Sequence, residues 1–122
     1  MLFRSEPYND RGNSYADKRD FDRAILDFNK AIEIKPDFSL AYYNRGSTFL
    51  KKRQFDQAIS DYSKVIEMDA KDGGAYYDRA CAYFYKKDYD RSWHDLNRAM
   101  ELGFGVQPGF VKALKKESGR EG

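Results

Sequence analysis

Several features that would point to a particular chemistry or location are scarce or missing in this 122-residue sequence. The only cysteine, Cys81, cannot form a disulfide within the chain, so packing must hold the fold, as suits a reducing compartment. The only histidine, His94, cannot build a zinc site with that one cysteine. No stretch approaches the ~20 apolar residues of a membrane span, and the N-terminal residues hold no apolar run typical of a signal peptide. We therefore expect a soluble, cytoplasmic protein without metal or cofactor; a fragment of an exported parent would show the same features.

An excess of one charge is also missing. The 22 basic and 20 acidic side chains leave a net charge of +2, unlike the strongly basic balance of a dedicated nucleic-acid binder. The sequence holds no glycine-rich phosphate loop and no grouping of residues typical of a catalytic site, so an enzyme is not expected. Aromatic rings, in contrast, are abundant: 10 tyrosines and 9 phenylalanines suffice to build a core despite a mean hydropathy of -0.88.

Residues of the same kind recur every 34 positions through most of the chain. The recurring sets are Gly12, Gly46 and Ala80; Tyr8, Tyr42 and Tyr76; Phe21, Phe55 and Tyr89; and Ala24, Ala58 and Ser92. Within each copy the apolar residues are spaced by three and four, in two stripes joined by a polar turn, which is typical of two amphipathic helices. The sequence therefore predicts one all-α domain over residues 1–122, built of three helical hairpins at 5–38, 39–72 and 73–106.

A short additional helix is predicted after the third copy, at about 108–117. Phe110, Val111 and Leu114 are at helical spacing there, and lysines occupy the other side. A stack of hairpins exposes an apolar flank at its last member, so this segment is interpreted as a capping helix. Attachment to a membrane surface is the alternative for a short basic amphipathic helix, but its apolar side is only three or four residues wide.

The repeated residues resemble a known family. Tyr8-x-x-Arg11-Gly12-x-x-Tyr15, followed by Ala24-x-x-x-Phe28 and Pro36, is similar to the tetratricopeptide (TPR) pattern, which has the same period. Tyrosine stands in the family's tryptophan column and arginine in its leucine column in every copy. The resemblance implies a right-handed α-solenoid and a non-enzymatic scaffold that binds extended peptides or partner helices in a concave groove.

Charged residues are also periodic. Arg11, Arg45 and Arg79 each precede an aspartate by 16 residues, namely Asp27, Asp61 and Asp95. We hypothesise one arginine–aspartate bridge between the two helices of each hairpin, because a buried guanidinium needs a hydrogen-bonded anion. The same aspartates are three residues from Lys30, Lys64 and Arg98, a spacing that also predicts ion pairs along a solvated outer face.

The first helix of each repeat is expected to line the groove. The residues predicted to form this inner surface are Asn9, Asp10, Asn13, Tyr43, Asn44, Ser47, Leu50, Tyr77, Asp78, Cys81, Phe84 and Tyr85. Its first-repeat end is acidic and amide-rich, whereas its third-repeat end offers aromatic rings as anchors for a partner. Alternatively, the capping helix or a second copy of the protein covers these rings.

One subset of the family holds acidic chaperone C-termini with two lysines, an arginine and two asparagines. Asn13 and Asn44 match the asparagines, but Asn9 and Gly74 occupy the lysine columns and Asp78 the arginine column. We therefore predict a preference for neutral or basic peptides, because a carboxylate would meet unpaired acids. Self-assembly into a homo-oligomer is the alternative function, and an acidic groove disfavours nucleic acid.

Overall fold

The protein forms seven helices that pack in consecutive antiparallel pairs. The computed structural model describes residues 4–121. The helices are α1 (Ser5–Asp17), α2 (Phe21–Ile34), α3 (Ser39–Lys51), α4 (Phe55–Met68), α5 (Gly73–Tyr85), α6 (Tyr89–Glu101) and α7 (Pro108–Ser118). No strand occurs among these described residues, and each hairpin also packs on the next, so the prediction of an all-α solenoid is confirmed. None of the helices between residues 4 and 121 has the length and apolar character needed to cross a bilayer.

The turn inside each hairpin has the same backbone conformation. Arg19, Arg53 and Lys87 adopt φ of 63°, 64° and 66°, which is the left-handed region. The next residue donates its backbone N–H to a carbonyl five residues earlier, as Asp20 does to Tyr15 at 2.8 Å. This bond closes the end of the first helix and begins the second after a turn of only three residues. The 34-residue period thus includes the turns as well as the helices.

The helices of a hairpin approach closely at a small residue that faces a larger one. The facing pairs are Gly12 and Phe28, Gly46 and Tyr62, and Ala80 and Leu96. A Cβ atom added to Gly12 would lie 2.6 Å from the Phe28 ring, so glycine is required there. In the third hairpin the ring is replaced by a leucine, and the small residue carries a methyl group, so the two changes compensate.

The predicted arginine–aspartate bridge is confirmed in all three hairpins. Each arginine donates from Nε and Nη2 to the two oxygens of its aspartate. The distances are 2.8 and 2.8 Å for Arg11 and Asp27, 2.9 and 2.7 Å for Arg45 and Asp61, and 2.7 and 2.7 Å for Arg79 and Asp95. Desolvation by burial raises the pKa of Asp61 despite this pairing, so its charge depends on the arginine opposite.

The second set of ion pairs predicted for these aspartates is wrong. Because Asp27, Asp61 and Asp95 are buried against the first helix of each hairpin, they do not lie on the solvated face. The basic residues three positions later pair instead with exposed glutamates. These pairs are Lys30 with Glu33, Lys64 with Glu67, and Arg98 with Glu101. These pairs also have a three-residue spacing, but in each of them the acid follows the base.

The last hairpin is covered by α7. Leu114 is fully buried in a cluster with Ala80, Trp93 and Leu96. The indole Nε1 of Trp93 donates to Ser118 Oγ at 2.9 Å, which ties the end of α7 to α6. The helix therefore buries an apolar flank of the stack, as expected for a capping helix.

Candidate functional site

The inner face is formed by α1, α3 and α5, which lie side by side because each hairpin presents its first helix to the same side. Two side-chain hydrogen bonds cross from one repeat to the next on this face. Asn44 Nδ2 donates to Asn9 Oδ1 at 3.0 Å, and the Tyr43 hydroxyl donates to Asp78 Oδ2. Both bonds join residues 35 positions apart, so they connect consecutive repeats. Much of the polarity predicted for the groove is therefore used to hold the repeats together.

The first-repeat end is less open than the sequence suggests. Asn9 is only 2% exposed, because Asn44 of the next helix reaches it. Asp10 is exposed and Asn13 is half-buried, so these two remain accessible. The acidic character of this end thus rests on Asp10, and the amide of Asn44 is already occupied.

The centre of the inner face is organised around Asp78. Desolvation by burial raises the pKa of its carboxyl group, and the negative charge of Asp72 raises it further, while the Tyr43 hydrogen bond acts in the opposite direction. The pKa of Tyr43 is raised by burial and by its bond to Asp78. Neither residue has a basic side chain as a hydrogen-bonding partner within residues 4–121. Asp78 is therefore a partly buried carboxylate whose only strong donor is neutral.

The other predicted residues of the central face are largely packed. Ser47 Oγ and the Tyr62 hydroxyl are 3.0 Å apart, and Leu50 lies against the core formed by Tyr62 and its neighbours. Cys81 is half-buried, and desolvation followed by the charge of Asp78 raises the pKa of its thiol to about 12. It is thus a small structural side chain of low reactivity.

The aromatic end is partly covered by the last segment of the chain. Tyr77 contacts Phe104 and Phe110 with ring centroids 5.3 and 5.6 Å apart, and Phe84 lies 5.5 Å from Phe110. For Tyr77 and Phe84, the structure therefore agrees with the alternative in which the capping helix covers the rings. Both rings are half-buried.

Tyr85 differs from these two rings. It is 51% exposed and stacks on Phe55 at 5.4 Å, next to the turn of the second hairpin. The guanidinium of Arg53 lies over both rings, 5.3 Å from the Phe55 centroid and 5.8 Å from that of Tyr85. Tyr85 thus belongs to an exposed pair of stacked rings, and it lies seven residues after Asp78 on α5.

An apolar notch next to Tyr43 was missed by sequence reasoning. It is lined by Ser39, Leu40, Tyr43, Val65 and Asp72. Leu40 is 54% exposed, which is unusual for a leucine in the first turn of a packed helix. Gly74 lies beside the notch, where an added Cβ would make ordinary contacts with Asp72 Oδ1 and the Tyr43 hydroxyl at 3.4 and 3.7 Å. The signal in the sequence was Leu40 itself, because Glu6 and Gly74 stand at its position in the other repeats.

Models of the TPR and tetratricopeptide repeat match residues 12–53, 39–72 and 73–102. The chain belongs to the tetratricopeptide-repeat family. No curated protein matches its sequence.

Among the described residues, no group of three histidine, cysteine, aspartate or glutamate side chains could hold a metal ion.

Solved TPR domains share the fold of this one. The first TPR of Spaghetti (RPAP3) bound to the HSP90 peptide SRMEEVD is 23% identical, with a TM-score of 0.85 over 95% of this chain and 91% of that one. The Arabidopsis OM64 TPR domain is 27% identical, with a TM-score of 0.85 over 92% and 94%. The TPR2B domain of yeast Sti1, in complex with pHsp70, is 26% identical, with a TM-score of 0.81 over 94% and 95%. This TPR chain is accordingly a protein–protein interaction module.

Proposed function

We propose that this TPR domain binds a neutral or basic peptide segment, or a partner helix of that character, on its inner face. The observation that carries the proposal is Asp78, a partly buried carboxylate that faces no basic partner in the described chain. A lysine or arginine of a ligand would supply the missing positive charge. A ligand carboxylate would be repelled at short range in a partly desolvated site.

The residues in the carboxylate-binding columns support this preference. Asn44 uses its amide nitrogen on Asn9, so it has one donor fewer for an incoming anion. Gly74 and Asp78 stand where a lysine and an arginine would hold an acidic C-terminus. Relatives bound to the HSP90 peptide SRMEEVD and to pHsp70 share the fold, but the chemistry of this groove favours ligands of the opposite charge.

The notch at Leu40 and Tyr43 supplies the apolar part of the site. It begins at Tyr43, the same residue that donates to Asp78, so an apolar side chain in the notch and a cation at Asp78 could come from one short segment. Asp72 borders the notch and adds a second negative charge. Burial of one large apolar side chain there would contribute ~1.5–3 kcal/mol.

Fluorescence polarisation with three labelled peptides tests the proposal. The peptides share one leucine and differ in bearing lysines, neutral residues or glutamates. We expect the lysine peptide to bind at least tenfold more tightly than the glutamate peptide. Asp78→Asn should remove most of this difference, whereas Glu67→Gln, which removes an exposed acid of α4 outside the inner face, is the matched control. Tighter binding of the glutamate peptide would contradict the proposal.

The pH dependence gives a further check on the same site. Because burial raises the pKa of Asp78, lowering the pH protonates it before ordinary aspartates. The lysine peptide should therefore bind more weakly as the pH falls through that raised pKa, and Asp78→Asn should not show this change.

The alternative function is self-assembly, which is favoured by the half-exposed side chains of Tyr85 and Leu40. A monomer by light scattering at the assay concentrations would exclude it.

A further inference from the structure

The outward flank of α1 carries a row of four residues that we call the α1 stripe: Pro7, Arg11, Ser14 and Lys18. All four are exposed. The corresponding residues of the next two repeats are Ala41, Arg45, Thr48 and Lys52 on α3, and Ala75, Arg79, Ala82 and Lys86 on α5. In those helices the small members of the row are at most 2% exposed, because the preceding helix covers them. The α1 stripe is thus the same docking row without its partner in the described chain.

The contacts of the covered rows on α3 and α5 define which side chains a partner helix must carry. Lys52 pairs with Asp22 of α2 at 2.5 Å, and Lys86 pairs with Asp56 of α4. A second contact comes from the arginine of each row. Arg45 Nη1 donates to Asn29 Oδ1 at 2.8 Å, and Arg79 Nη1 donates to Ser63 Oγ at 3.0 Å. The covering helix therefore presents an aspartate and, two turns later on the same face, an amide or hydroxyl oxygen.

The spacing of the lysine contact is constant along the molecule. The pairs Lys52–Asp22 and Lys86–Asp56 both join residues 30 positions apart. Arg120, which follows α7, pairs with Asp90 of α6 at 2.6 Å and at the same separation of 30. Three successive interfaces thus share this ion pair, and two of them add the arginine contact, which provides the template for a helix on the α1 stripe.

The α1 stripe retains the donors that this template uses. Arg11 donates to Asp27 from Nε and Nη2, which leaves its Nη1 without a hydrogen bond to the described residues. Its side chain is 59% exposed, against 21% for Arg45 and 17% for Arg79. Lys18 makes no ion pair within residues 4–121. A solvated helix face could carry any polar residues at these positions, yet the arginine and the lysine recur in both covered rows, with a small residue between them.

We propose that the α1 stripe binds an amphipathic helix of a partner protein. The helix carries aspartate at one position, a large apolar residue three positions later and asparagine or serine four positions after that. The second helix of every hairpin shows the pattern: Asp22, Ile25 and Asn29 on α2, Asp56, Ile59 and Ser63 on α4, and Asp90, Trp93 and Asn97 on α6. The positive charge of Arg11 and Lys18 complements the aspartate and the acceptor. This site is separate from the inner face and does not depend on the peptide bound there.

The test uses a peptide copied from this protein. The peptide covers residues 54–69 with Tyr62 and Val65 replaced by glutamine for solubility and a side-chain lactam to stabilise the helix. It is labelled and titrated with the complete chain. We expect saturable binding, weakened about tenfold by Lys18→Glu, because the charge reversal turns an ion pair into a repulsion. Lys51→Glu changes the net charge equally away from the stripe and should have no effect.

Exchanging the charges of peptide Asp56 and of Lys18 tests whether these two side chains pair directly. A peptide with Asp56→Lys should bind wild type weakly and Lys18→Glu more tightly, restoring at least half of the lost affinity. Ser14→Trp should also prevent binding, because the close approach of a covering helix requires a small residue. Equal binding to wild type and Lys18→Glu, or a peptide that only changes the oligomeric state of the chain, would overturn the proposal.

Discussion

Removal of the arginine from each hairpin should destabilise the protein in a graded way. Arg79 and Arg45 are 17% and 21% exposed and bind aspartates that are almost fully buried. Removing one partner of a buried ion pair lowers the free energy of unfolding by ~3–5 kcal/mol, because the remaining charge is left without a partner. Solvent reaches part of these guanidinium groups, so we expect ~2–4 kcal/mol for Arg45→Ala and for Arg79→Ala, or a fall in Tm of about 10 °C. Arg11 is 59% exposed and its Nη1 makes no hydrogen bond to the described residues, so Arg11→Ala should cost least.

Urea denaturation followed by circular dichroism measures the three free energies of unfolding under one condition. The double variant Arg45→Leu/Asp61→Ala removes both charges and should recover more than half of the stability lost in Arg45→Ala. Equal losses in all three arginine variants would refute the role of burial. A double variant as unstable as the single one would show that the loss comes from packing and not from an unpaired aspartate.

Two further predictions concern the core and the cysteine. Because burial raises the pKa of Cys81 to about 12, alkylation of its thiol by iodoacetamide at pH 8 should be about 100-fold slower in the folded protein than in urea. Mass spectrometry measures the two rates, and equal rates would contradict the prediction. Deletion of residues 108–122 should shift the emission of Trp93, now 2% exposed, to longer wavelength and cause aggregation, whereas unchanged emission and a monomeric mass would show that α7 is dispensable.

Much of the fold was predictable because the same signal occurs three times. The offset of 16 residues between Arg11 and Asp27 recurs without change in the other repeats, so one geometric argument predicted all three bridges. The hydrogen bond between Tyr43 and Asp78 joins the same two repeat positions as the bond between Asn9 and Asn44, but the residue types differ between the two pairs, so the repeat pattern did not predict either bond. The notch at Leu40 was missed for the same reason.

The sequence by itself determined the repeat length, the hairpins, the capping helix and the pairing of each arginine with its aspartate. These features lie within one hairpin or at its turn, where spacing along the helices specifies which side chains meet. Only the tertiary structure decided how neighbouring hairpins share polar groups. Asn9 is buried under Asn44, and Asp78 is joined to Tyr43, because the approach of one hairpin to the next places these side chains within hydrogen-bonding distance. A hydrogen bond tolerates a few tenths of an ångström, which a sequence period does not specify.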